Sequence, residues 1–145
     1  MLMEKDISIF METKLNFKSS ICTSREQIER FLALGLKKET ADCVLIPSCN
    51  WDGTDVIRVG ALHLECKLSI PAWSLHRLWE LIPKVVFKNP ALHLTMCSNS
   101  IFYCTEDNNE DYEKPFSAKL NLYDNIIECI EWLIKEGYFN KEYLV

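Results

Sequence analysis

Glycine is scarce in this chain, with four residues in 145. So few, so widely scattered, cannot build a phosphate-cradling loop, and neither the P-loop nor the dinucleotide-binding glycine pattern is present. The G-x-S-x-G elbow of a serine hydrolase is missing as well. Proline is nearly as sparse, at five residues, which excludes collagen-like and linker-like chains. No stretch approaches the roughly 20 apolar residues a membrane helix needs, so no membrane partner is expected. The opening segment carries Glu4 and Asp6 and lacks the continuous apolar core of a signal peptide. Cationic excess is missing too: 16 Lys and Arg stand against 21 Asp and Glu, a net charge of −5. Phosphate-backbone binding needs clustered cations that release counterions. The densest groups, Lys37-Lys38 and Lys84 with Lys88, are small, and nucleic acid is not the expected partner.

What is present is ordinary globular composition, 48% hydrophobic and 26% charged. The length matches one domain, and a chain of this size buries enough surface to fold without staples or metal. Residues 1–20 are weakly patterned and read as a loosely packed arm, with residues 21–145 as a single α+β domain. The seven cysteines are odd in number and irregularly spaced. That usage points to a reducing compartment and to buried thiols acting as small hydrophobes, hence a cytoplasmic location.

Three segments have helical period. In Ser24–Leu34, Ile28, Phe31 and Leu32 share a face, Gly35 suits the end, and Thr23 with Glu26 or Ser24 with Gln27 fits a capping box. Leu36–Asp42 suggests a further short helical turn. In Pro71–Ile82, Leu75, Leu78, Trp79 and Ile82 align, with Pro71 in the first turn and Pro83 as the stop. Asn121–Glu136 has the clearest pattern: Leu122, Ile126, Ile127, Ile130, Leu133 and Ile134 form one stripe, opposite Asp124, Glu128, Glu131 and Lys135. Burying those side chains would contribute roughly 10 kcal/mol before conformational entropy is subtracted. Strands are expected within Val56–Leu68, Ala91–Cys97 and Ile101–Thr105, the last two as a hairpin. CVLIP from Cys43 is a short apolar run compatible with a strand, the Asp52-Gly53 pair signals a turn, and Glu106–Pro115 reads as an acidic loop. The expected architecture is about three helices packed on one face of a small, mostly antiparallel sheet.

Chemistry is harder to place. Cys43-x5-Cys49, His63-x-x-Cys66 and His93-x-x-x-Cys97 are the tightest Cys/His groupings. None has zinc-knuckle or zinc-finger spacing, so core thiols are the simpler reading and no cofactor is expected. The alternative is a metal-binding protein or Cys-dependent enzyme using Cys43, Cys49, His63 and Cys66. The acids from Glu106 to Glu113 lack the glycine a calcium loop requires. Trp73 and Trp132 fall off the apolar stripes of their segments, which makes them candidate anchors for a protein partner or a homodimer.

The segments CTSREQIERFLALGLKKETAD from Cys22, IPAWSLHRLWELIPK from Ile70 and NLYDNIIECIEWLIKEGYFNKEYL from Asn121 together resemble a family of small uncharacterised proteins. Members are encoded by gut Bacteroides-type bacteria and by their phages and mobile elements. The resemblance implies cytoplasmic residence and a mobile-element setting, and carries no activity, cofactor or site residue. With no catalytic constellation in view, the expected function is a non-enzymatic protein-interaction module, such as a phage or mobile-element accessory protein.

Overall fold

The computed structural model describes residues 20–48, 51–60, 69–97, 100–116 and 121–145. Within them the chain forms three α-helices and two small antiparallel sheets, an α+β fold. In chain order the elements are α1 (Arg25–Ala33), β1 (Cys43–Ile46), β2 (Val56–Val59), β3 (Ile70–Ala72), α2 (Leu75–Leu81), β4 (Val85–Val86), β5 (Leu92–Met96), β6 (Ile101–Cys104), β7 (Lys114–Pro115) and α3 (Leu122–Glu136). Single 3-10 turns occupy Lys38–Thr40, Glu110–Tyr112 and Lys141–Tyr143.

The helix ends follow local chemistry. Ser24 Oγ accepts from the Gln27 amide at 3.3 Å, and Gln27 Oε1 accepts from the Ser24 amide at 2.9 Å. Of the two capping boxes the sequence allows, this one forms and opens α1. α3 starts behind Asn121, whose Oδ1 accepts from the Tyr123 amide, and stops at Gly137 in the left-handed conformation, φ 79°.

α2 departs from expectation. Pro71 does not sit in its first turn but in β3, opposite Val44, and the helix begins only at Leu75. Proline disfavours helical geometry in the residue before it and has an extended-compatible φ of its own, whereas Ser74 is a good cap. Ser74 Oγ accepts from the Arg77 amide at 3.2 Å. At the end of its strand order, β3 tolerates the missing proline donor.

Two sheets form where one was expected, because the ambiguous run Cys43–Ile46 becomes a central strand. It pairs with β2 from Cys43↔Val59 to Ile46↔Val56 and with β3 from Cys43↔Ala72 to Leu45↔Ile70. The second sheet runs β4-β5-β6-β7, built on the expected hairpin, with His93↔Cys104 and Met96↔Ile101 in register. Part of the segment read as an acidic loop is instead β7, which pairs Phe102↔Pro115 and Tyr103↔Lys114. Of the strand expected over Val56–Leu68, Val56–Val59 forms β2, and 61–68 lie outside the described residues.

A contiguous cluster of buried side chains joins all three helices and both sheets. Ile126, Ile127, Ile130 and Leu133 of α3 lie at its centre, none more than 1% exposed, with Leu122 and Ile134 at its margin. Near the C-terminus the chain returns to the end of α1: the Lys37 amide donates to the Tyr143 carbonyl and the Val145 amide to the Gly35 carbonyl, each at 2.8 Å. Among the described residues no helix is long and apolar enough to cross a membrane.

Candidate functional site

Three adjoining hollows run along one side of the β4–β7 sheet and onto the exposed flank of α3. The first, about 840 Å³, lies between Val85–Ala91 and the Thr105–Asp107 turn, with Phe87 and Tyr112 in its wall. The second, about 410 Å³, shares Asn89, Pro90 and Tyr112 with the first and reaches Trp132 and Glu136 on α3. The third, about 350 Å³, shares Lys114 and Trp132 with the second and is bounded by Phe116, Glu128, Glu131 and Lys135. The shared walls make them one groove.

Local chemistry sets the groove's shape. Thr105 Oγ1 donates to Asp107 Oδ1 at 2.5 Å and accepts from the Asn109 amide at 3.0 Å. Asn109 Oδ1 in turn accepts from the Asp111 amide, opening the 3-10 turn that presents Tyr112. The two bonds from the Asn109 and Asp111 amides are the side-chain-to-backbone bonds that short polar residues make in place of regular structure. The Thr105 hydroxyl also holds the Asp107 carboxyl below its ordinary range. Across the first hollow, His93 Nε2 lies 3.6 Å from Glu106 Oε1.

Aromatic rings form the far end. Trp132 stands 5.7 Å from Tyr103, 5.8 Å from Phe116 and 5.8 Å from Tyr138, centroid to centroid. Tyr103 is wholly buried and its hydroxyl donates to the Pro83 carbonyl at 2.7 Å, so the cluster is anchored in the core. The Lys114 ammonium lies 5.7 Å from the Phe116 ring and 5.8 Å from the Trp132 ring, within cation–π range. Phe87 and Tyr112 are 86% and 49% exposed, so the groove presents apolar surface to solvent at both hollows they border. Its lining carries seven carboxylates (Glu106, Asp107, Asp111, Glu113, Glu128, Glu131 and Glu136) against Lys88, Lys114 and Lys135.

The residues singled out from sequence fall in different places. Trp132 is partly buried and central to the groove. Trp73 is not a surface anchor: it precedes α2 and is wholly buried against Phe31, with its indole N–H donating to Thr40 Oγ1 at 3.0 Å. Helical periodicity placed it off the apolar face, but it is not in a helix, and its position follows β3 pairing. Cys43 is buried in β1 as a free thiol, and desolvation, followed by the neighbouring Asp42 charge, pushes it up to about 11. That shift runs opposite to the one an activated thiolate needs. Cys49, His63 and Cys66 lie outside the described residues. Among the described residues no three of His, Cys, Asp and Glu converge as a metal site.

Phe87, Tyr112, Lys114 and Phe116 were not visible as site residues in the sequence. The available signal was Tyr112 set within an acidic run, an aromatic among charges. Nothing local says that residues 85–93, 105–116 and 128–136 meet. No family model, curated protein or solved structure matches the chain.

Proposed function

We propose that this protein is a protein-interaction module that seats a segment of another protein in the groove between the β4–β5 turn, the Glu110–Lys114 segment and the C-terminal half of α3. The observation that carries the proposal is the continuity of the three hollows, combined with exposed Phe87 and Tyr112 and the ring of Trp132 along one path. Aromatic side chains offer large contact area at low entropic cost, and anchored rings in a preformed groove are the usual centres of binding energy. The family resemblance implies a mobile-element setting alone, and a phage or mobile-element accessory role is compatible with such a module.

The test is affinity purification of the tagged protein from its host, followed by reconstitution with the purified partner. A one-to-one complex that weakens at least tenfold in Phe87→Ser and Tyr112→Ala supports the proposal. Both substitutions are at exposed positions, so folding is retained, and circular dichroism checks it. A partner whose affinity ignores both substitutions, or no stoichiometric partner, overturns the groove as the binding face.

A further inference from the structure

Resting on the groove reading, the charges and rings lining it point to one class of occupant. We infer that the groove takes an extended, arginine- or lysine-bearing segment of a partner protein, one cationic side chain of which replaces Lys114 on the Phe116–Trp132 platform.

Charge decides the sign. Seven carboxylates against three lysines leave the lining at about −4, close to the −5 of the whole chain. The molecule's negative charge is therefore concentrated where the hollows are. A basic segment is drawn to such a face, while an anionic one meets net repulsion. The same argument disfavours two other occupants. A second copy docking groove to groove would bring like charge against like charge. Residues 1–19 carry three lysines and three acids, so they offer the groove no complementary charge.

The platform decides where a cation sits. Lys114 already holds its ammonium over two rings, at 5.7 and 5.8 Å, which shows that this spot accepts a positive charge. Glu128 and Glu131 line the same hollow. An arriving guanidinium matches the place better than an ammonium, because it stacks flat on a ring while its N–H fork meets a carboxylate. Lys114 lies on the short strand β7, and its flexible side chain can leave the rings without disturbing the pairing of its backbone.

The experiment is selection of an unbiased random-peptide library on the immobilised full-length protein, then anisotropy titration of the enriched peptides. The inference expects Arg/Lys-rich peptides whose affinity falls on the order of tenfold in Glu113→Gln/Glu131→Gln and several-fold as salt rises past physiological strength. It also expects a few-fold tighter binding in Lys114→Ala, since the competing cation is gone while both rings remain. Enrichment of peptides without basic residues that still compete at the groove overturns this inference and leaves the interaction module standing. Basic peptides indifferent to the two glutamates, or weakened by Lys114→Ala, also overturn it. No enrichment of any sequence counts against both this inference and the proposed function.

Discussion

The indole N–H of Trp73 donates to Thr40 Oγ1 at 3.0 Å, and that hydroxyl in turn donates to the Lys37 carbonyl at 2.6 Å. The pair is buried and ties the 3-10 turn after α1 to the residue following β3. A buried tryptophan retains its N–H only at a cost unless an acceptor is supplied, and Thr40 supplies it. Thr40→Val keeps the shape and removes that acceptor. Urea denaturation is expected to show a loss of about 1–3 kcal/mol with an unchanged m-value. Wild-type stability would mean the indole has found another partner.

Asn125 makes a second buried polar link, from α3 to the hairpin. Its Oδ1 accepts from the Ile101 amide at 2.9 Å, and the residue is 0% exposed. Asn125→Leu should strand that amide in the core and cost about 1–3 kcal/mol. Hydrogen exchange at Ile101 should accelerate more than the global loss requires, because β6 loses its tie to α3.

Stability should fall on the alkaline side. Burial pushes the Cys43 thiol from its ordinary value of 9.0 up to about 11, and the Tyr123 hydroxyl from 10.0 up to about 12. Desolvation also drives the buried Cys129 thiol and Tyr103 hydroxyl upward. An acid whose folded value lies above its unfolded value supports the fold below the unfolded value and ceases to do so as pH rises through the folded one. Urea midpoints are therefore expected to be flat between about pH 7 and 8.5 and to decline from about pH 9 upward. Cys43→Ala should shallow that decline. A flat profile to pH 11 would show that none of these four groups is buried as described.

Gly137 ends α3 at φ 79°, and a Cβ added there would meet nothing within 4 Å. The cost of Gly137→Ala is then backbone strain alone, about 1 kcal/mol by thermal or urea unfolding. Gly137→Asn should lose less, since asparagine tolerates the left-handed region better. Equal losses would place the cause in packing, contrary to the open space around the residue.

Much of the frame was legible because its signals are local. The stripe on Asn121–Glu136, the Ser24–Gln27 capping pair and the 92–104 hairpin each depend on residues a few positions apart. The sequence leaves the start of α2 open, because Pro71 satisfies a helix first turn and an extended strand equally well and only pairing with Val44 chooses between them. The burial of Trp73 is hidden from the sequence for the same reason. The acidic segment concealed β7, since a two-residue strand has no period to detect and exists only by leaning on Phe102 and Tyr103.

From the sequence alone followed the α+β class, the apolar face of α3 and the candidacy of Trp132, all of which rest on periodicity and composition. Tertiary structure decided that Cys43–Ile46 is a central strand, that two sheets form, and that three distant segments close into one acidic, ring-lined groove. A groove is a property of the spaces between elements, and those spaces depend on long-range pairing that no local pattern along the chain encodes.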